Sequence, residues 1–531
     1  MRKLIYISIA TVASLFASCS QSDFEDAYKN PATVETTTVP KQFAGFMKRN
    51  WEDVIPAYWN YFTVIRQTSL SYTQAHGFTN ISGRYVVGAA SLDRWGRFYG
   101  FLAQYRELER VMAALPASEQ TANRIYTIAS TIYLYEHAEK MVDNFGDIPF
   151  SEAGKISMTG GNYASANAKY DSQEAIYTKM LDDLKAFSTE LNTITLTPKV
   201  DLEFKNQDLI NKGNLTKWKK YCNSLRLRML NRVSAVPAFQ ARATTEMAEI
   251  ISGGNYVATN ADNIEFKVYN QDTKDSGGGT ILSSEGFKDG LESWNNNAAP
   301  KLMIDHMNTN NDPRKPWLFE PGTKANGVYI GLDQMDNSVN QDKLMNQDAV
   351  IAIYNRSALS RNKWFPGTLI NAPEMNLIVA EYYVRTGNIA AAKTAYETAI
   401  RQSVDFYVEI AKRSNDTGFL PATVPTAAEV DAYIAMPAVN FALATTPAAR
   451  MALIGFQRYI HFNVVQPEDS WTEQRRTNLP VMNFLPDNGN AQTTPPVRWT
   501  YPGSEKTYNG DNYAKVSAKD NLNTKIFWDL N

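Results

Sequence analysis

Cysteine is almost absent from this chain: 531 residues hold two, Cys19 and Cys222. No disulfide framework or cysteine-based zinc site can be built from such a pair, and Cys222 reads as a small core residue. Histidine is nearly as scarce. His76, His137, His306 and His461 stand far apart, so the sequence offers no metal site. An excess of charge of one sign is missing too. Lys plus Arg at 53 against Asp plus Glu at 55 leaves a net charge of −2 and no basic segment, which excludes nucleic acid as a partner. The chain has no G-x-S-x-G elbow, H-E-x-x-H helix or phosphate loop. Gly277, Gly278 and Gly279 lack the Lys-Ser/Thr and helix start that would cradle phosphate, and read as a loop. Asp182 and Asp183 share a helical stretch with Lys185 and read as a solvated face rather than an acid–base pair. These absences point to a protein that is not an enzyme and carries no cofactor or catalytic residue.

Long hydrophobic runs are also lacking, save one. Leu4 to Phe16 follows Arg2 and Lys3 and ends at Ala17 and Ser18, directly before Cys19. The run is shorter than the roughly 20 residues that span a bilayer, and its layout is that of a removable export signal over 1–18. A cysteine at that point resembles a bacterial lipobox, in which the Cys19 thiol receives a diacylglyceryl group and tethers the mature chain to a membrane. The alternative is an ordinary cleaved signal with Cys19 incidental. Asp23, Glu25 and Asp26 follow, resembling the acidic tract of surface-exposed lipoproteins in Bacteroidota-type bacteria; the plainer reading is a solvated linker over 19–42.

What the chain does have is helical periodicity. Trp95, Phe98, Leu102, Tyr105, Leu108 and Met112 predict a helix over 93–115, and Ile125, Ile128, Ile132, Tyr135 and Val142 a second after the PASEQ turn. Stretches 172–191 and 215–233 suggest another pair, the latter with Trp218, Cys222, Leu225 and Met229 on one stripe. Ala380, Tyr383, Gly387, Ala392, Tyr396 and Ala399 fall at tetratricopeptide spacings, although Asn376 and Val404 replace that repeat's tryptophan and closing proline. A further helix is expected over 447–462. The fold class is therefore mostly α, built of tetratricopeptide-like helical hairpins over about 93–235 and 370–465. Long irregular insertions and a few short strands complete it, such as 264–268, 350–354 and 525–528. Stretch 253–370 loses the period and reads as loop.

Several ordered segments carry a resemblance. MVDNFGDIPFSEA (141–153), KYDSQEAIYTKMLDDL (169–184), GNLTKWKKYCNSLRLRMLNRVS (213–234), NDPR (311–314), WTEQRR (471–476) and YPGSE (501–505) follow one another as in the SusD/RagB-like nutrient-binding lipoproteins of Bacteroidota, which the chain resembles in its SusD-like branch. Most motif residues read as structural: Gly146 and Pro149 stop a helix, Asp312 offers its carboxylate to Arg314, and Arg475 and Arg476 suit bidentate pairing with carboxylates. The resemblance implies one domain over 43–531, anchored in the outer membrane and facing the cell surface. It also implies nutrient capture as the lid of a SusC-like TonB-dependent transporter, with the repeats against that partner.

The nutrient is expected from the aromatics, 28 Tyr, 24 Phe and 10 Trp. Sugar rings stack apolar C–H faces on flat side chains while amides satisfy their hydroxyls. Trp294 with Asn295, Asn296 and Asn297, Tyr269 with Asn270, and Tyr72 with Gln74 and His76 have that composition, so Tyr72, Tyr269, Trp294 and Asn295 are the candidate ligand contacts for an oligosaccharide. A peptide ligand, or a helical-repeat scaffold without ligand, are the alternatives.

Overall fold

The computed structural model describes residues 37–77, 83–160, 162–266, 268, 283–487 and 492–531. The expected export segment, Cys19, Tyr269 and the 277–279 glycines lie outside these residues. The described chain is mostly helical.

The first helix, α1 (Val39–Arg49), begins inside the stretch expected to be linker. Pro40 sits in its first turn, where the missing N–H is no loss, and Phe43, Phe46 and Met47 face inward. The polar TTT before it hid a helix whose buried aromatic residues follow the proline. Phe46 stacks on Phe101 at 4.3 Å and meets Tyr133 edge-on at 5.9 Å. Those two rings belong to α2 (Ala89–Ala113) and α3 (Arg124–Phe145), the expected first hairpin. Trp95, Phe98, Leu102, Tyr105 and Leu108 are buried as predicted, whereas Met112 is only partly covered.

Gly146 ends α3 at φ 78°, a conformation that strains any residue with a Cβ. Beyond it β1 (Ile148–Pro149) pairs antiparallel with β2 (Tyr170–Asp171), and Ser172 caps α4 (Gln173–Glu190) by accepting from Ala175 N at 3.2 Å. Next come α5 (Leu215–Val233) and α6 (Pro237–Gly253). Every residue of α5 from Tyr221 to Val233 is buried, Cys222 among them, so α5 is a central helix packed against both α4 and α6 rather than half of a single pair.

The 253–370 stretch is more ordered than its composition suggested. It contains β3 (Ile264–Phe266), α7 (Lys301–Asn310), β4 (Phe319–Glu320), β5 (Ile353–Tyr354) and β6 (Gly367–Ile370). Strands β3 and β6 pair across the whole insertion, and β4 pairs with β5. The tetratricopeptide-like pair follows as α8 (Ala372–Thr386) and α9 (Ile389–Lys412), with Ala380, Ala392, Tyr396 and Ala399 buried between them. Then α10 (Pro447–Phe462) appears where expected and leads into α11 (Pro467–Thr477). Residues 525–528 form no strand. Ile526 and Trp528 are buried in an irregular segment and turn instead, and Trp528 Nε1 donates to Asp143 at 2.8 Å.

A central helix buried on all sides must neutralise its charges internally. Arg232 of α5 lies at 3.0 Å from Glu139 and also pairs with Asp143, both on α3. A second cluster joins Arg458 and Arg476 to Glu381 and Glu473 at 2.6–2.9 Å. Arg314 and Asp312 pair face to face, fully buried, as expected. The expectation for Arg475 is corrected. Its guanidinium donates to the carbonyls of Asp143 at 2.7 Å and Val497 at 2.8 Å and stacks on Trp471 at 3.6 Å, and it forms no ion pair with a carboxylate among the described residues.

Candidate functional site

Three short segments of the insertion, 297–299, 330–332 and 352–354, are laced together. Tyr354 N donates to Asn297 O, Ala299 N to Ala352 O, Ala352 N to Ile330 O and Leu332 N to Ala299 O, each at 2.8 Å. The 72–77 loop joins them through Gly77 N to Ala298 O at 2.7 Å and through Gln334, whose side chain donates to His76 O. Beneath, Ala298, Leu332 and Ile351 form a small apolar core with Leu344 and Met345.

From this base Trp294 projects with 79% of its surface exposed. Its backbone is left-handed, φ 58° and ψ 34°, and Asn295 follows at φ 58°. Two consecutive left-handed non-glycine residues, one of them bulky, cost free energy that the surrounding bonds must supply. Asn296 provides one of these, donating to Gly290 O at 3.0 Å from a buried position. Asn295 donates to Asn346 Oδ1 at 3.3 Å. Thus Trp294 and Asn295 face outward while Asn296 and Asn297 anchor them.

Beside Asn346, Met345 lines a groove of about 560 Å³. Phe319, Ile351 and Ile353 give it an apolar floor, and Tyr329 and Phe419 stand at its sides, Phe419 40% exposed. Arg356 lies 3.8 Å over the Phe419 ring and grips Glu320 with Nη2 at 2.7 Å and Nε at 3.1 Å. The Arg356 backbone N–H donates to the same carboxylate at 2.6 Å. Burial, with the Glu320 charge adding to it, pushes the Tyr329 phenol up. At Gly322 the wall presses so closely that a Cβ would lie 2.3 Å from the carbonyl carbon of Val350, which only glycine avoids. The groove therefore offers aromatic faces for stacking and a fixed donor–acceptor pair for hydroxyls.

Of the residues picked from composition, the structure brings Trp294 and Asn295 together on this face. Tyr72 belongs elsewhere: it is fully buried, with its ring centroid 5.2 Å from that of Trp471. Its neighbours are spent as well. Gln74 donates to Asn483 O at 2.6 Å, and His76 is buried beside Ser71, its pKa pulled down to about 3 by loss of solvent and then by Arg66. Tyr269 lies outside the described residues. Phe419 and Tyr329 were missed although both sit in polar, glycine-containing segments, NDTGFLPA and NGVYIG, the same signal that flagged Trp294. Glu320 and Arg356 carry no local signal, since they meet only through the pairing of β4 with β5.

A SusD-like family model, described as starch-binding and associating with the outer membrane, matches residues 30–502. No curated protein matches the chain. Among solved structures, a SusD homologue from Bacteroides fragilis is similar at 20% identity and TM-score 0.72, covering 93% of this chain and 100% of that one. A chitin-binding SusD homologue from Flavobacterium johnsoniae is similar at 21% and 0.68, covering 92% and 99%. A SusD homologue from Parabacteroides distasonis is similar at 20% and 0.70, covering 93% and 98%. These likenesses establish the fold. Among the described residues no helix is long and apolar enough to cross a membrane.

Proposed function

The chain belongs to the SusD-like family, starch-binding proteins associating with the outer membrane, and from that premise we propose that it captures an oligosaccharide nutrient on the Trp294 face and delivers it to a SusC-like TonB-dependent transporter. The observation that carries this reading is Trp294 itself: a large ring, mostly exposed, held in a costly backbone conformation beside a groove with further aromatic walls. A folded protein exposes such a ring at such cost where something stacks on it.

Neutral sugars suit the groove better than peptides do. Its two charged side chains, Arg356 and Glu320, neutralise one another and present oriented hydrogen-bonding edges rather than a free charge for a peptide terminus. Binding without hydrolysis follows from the same residues. Glycoside cleavage needs two carboxylates, and Glu320 is the one carboxylate among the described residues lining the groove.

In the proposed arrangement residues 43–531 act as one lid body, tethered at the cell surface through a lipid on Cys19, with the helical repeats against the transporter and ligand enclosed between the two. Calorimetric titration with malto- and chito-oligosaccharides tests the ligand class. Binding that disappears in Trp294→Ala and Phe419→Ala, with folding unchanged, supports it; a wild-type protein that binds peptides and no glycan overturns it. Purification in mild detergent tests the partner, and recovery without any β-barrel protein counts against the lid.

A further inference from the structure

A second cleft, sharing no lining residue with the Trp294 groove, opens between α2, the segment after β1 and the short helix Gly503–Tyr508. Its volume is about 590 Å³. Trp95, Tyr99, Tyr163 and Tyr508 line it together with Ile156, Ala103, Ala153 and Glu505. Tyr508 is 76% exposed and Tyr163 65%, so its mouth is an aromatic patch facing solvent.

Glu505 distinguishes this cleft from an ordinary apolar dimple. Its carboxylate accepts from Trp95 Nε1 at 3.2 Å, from the Tyr170 hydroxyl at 2.7 Å and from Asn509 Nδ2 at 3.2 Å, all uncharged donors. It forms no ion pair among the described residues. The adjacent Lys506 turns away, 3.8 Å from Asp520 and 5.4 Å from the Tyr513 ring. Of about four lone-pair sites on a carboxylate, the three donors leave one on Oε1. The uncompensated charge is felt around the cleft: after burial, it is the largest influence pushing up the phenols of Tyr99 and Tyr170.

Aromatic side chains around an unpaired carboxylate favour a cation, because ring faces and carboxylate are both negative and a weakly hydrated ammonium loses little on leaving water. The apolar lining favours carbon on the same ligand. We propose that this cleft is a binding site for an organic cation, an alkylammonium group carried on an apolar body, held by Glu505 between the Tyr163 and Tyr508 rings.

Choline and its uncharged carbon isostere 3,3-dimethylbutan-1-ol test this directly on the full chain. Saturation-transfer NMR and calorimetry should give choline binding about five-fold or more tighter than the isostere, with a similar loss in Glu505→Gln and in Tyr508→Ala. Tyr508 is exposed enough that its replacement leaves folding intact, so the proposal stays testable where Glu505→Gln folds poorly. Nα-acetyl-lysine methylamide distinguishes the source: binding as tight as choline assigns the cation to a protein side chain, and weaker binding to a free quaternary amine, and both outcomes support cation chemistry. Equal binding of choline and its isostere, no binding of either, or unchanged choline affinity in Tyr508→Ala overturns it. Glycan binding at Trp294 is read separately in the same samples and does not depend on this outcome.

Discussion

Arg228 of α5 grips Glu374 of α8 through two parallel hydrogen bonds, Nε to Oε1 at 2.5 Å and Nη2 to Oε2 at 3.0 Å. Its third nitrogen reaches Glu136 of α3 at 2.7 Å, so one guanidinium ties three helices that are distant in sequence. Burial opposes the charge on Arg228, but Glu136 and Glu374 outweigh it and hold the group well above its ordinary pKa. Glu374 is pushed up by burial despite Arg228. Such a knot stabilises little over a well-packed apolar core, yet losing one member strands the others.

Arg228→Met should therefore destabilise by about 3–5 kcal/mol, because Glu374 is left buried with no ion-pair partner among the described residues and Glu136 keeps only Lys140, at 3.7 Å. Urea unfolding of wild type and variant measures this. Arg228→Lys should recover only part of the loss, since an ammonium cannot make the forked contact. Full recovery would mean that charge alone, without geometry, holds the helices.

Acid should weaken the fold in two stages. Burial holds His306 at about 4, His76 and His461 at about 3, and His137 well below its ordinary value. Each stays neutral in the folded protein while its unfolded counterpart, near 6.5, takes a proton, so stability present above about pH 6.5 falls as pH drops toward 4. Glu139 runs the other way. Burial raises its pKa despite Arg232 and Arg228, so this group binds its proton more readily in the folded state and offsets part of the histidine loss. Below about pH 4.5 a second loss begins as Glu381 takes up a proton in the unfolded chain while the folded protein still holds it charged. Burial opposes its charge, but Arg476, Arg458 and Arg385 hold its folded pKa well below the ordinary range. His306→Gln should flatten the first stage by about 1.4 kcal/mol per pH unit. Unfolding free energies measured from pH 7 to 4 provide the check, and an unchanged slope would refute the burial argument.

The helices were legible because their signal is local. Trp218, Cys222, Leu225 and Met229 fall on one stripe whatever surrounds them, and all four are buried. The site was only half legible because composition within a short window does not reveal which side of a loop faces water. Tyr72 and Trp294 both sit among polar residues, but Trp471, from the far end of the chain, covers the first, whereas the described residues leave the second 79% exposed. Arg475 and Arg476 are adjacent in sequence and opposite in role for the same reason. Helix α11 turns Arg476 toward Glu381 of α8 and Arg475 toward carbonyls and the Trp471 ring.

The Trp294 backbone gives a test that separates binding from folding. Glycine adopts φ 58° without strain, and the exposed indole contributes little packing, so Trp294→Gly should hold or raise stability by up to about 1 kcal/mol. Oligosaccharide binding should vanish in the same protein. Calorimetry and thermal unfolding on one preparation read both quantities. A clear fall in stability would show that the ring supports the fold rather than waiting for a ligand.

Arg356 and Phe419 should part company in the same way. Phe419 is partly exposed and meets Arg356 from above, so Phe419→Ala removes a stacking face at little cost to the fold, about 1 kcal/mol or less for an exposed cation–π contact. Arg356→Ala removes the partner of a mostly buried carboxylate: the Glu320 side chain is 8% exposed and keeps only the residue 356 backbone N–H as a donor. That variant should lose about 1–3 kcal/mol of stability as well as ligand affinity. Replacing both members, Arg356→Met with Glu320→Gln, should restore much of the stability because no charge is left stranded, but not the affinity, because the oriented edge for sugar hydroxyls is gone. If the double variant binds glycan as well as wild type does, the groove contributes aromatic stacking alone and the Arg356–Glu320 pair is only scaffolding.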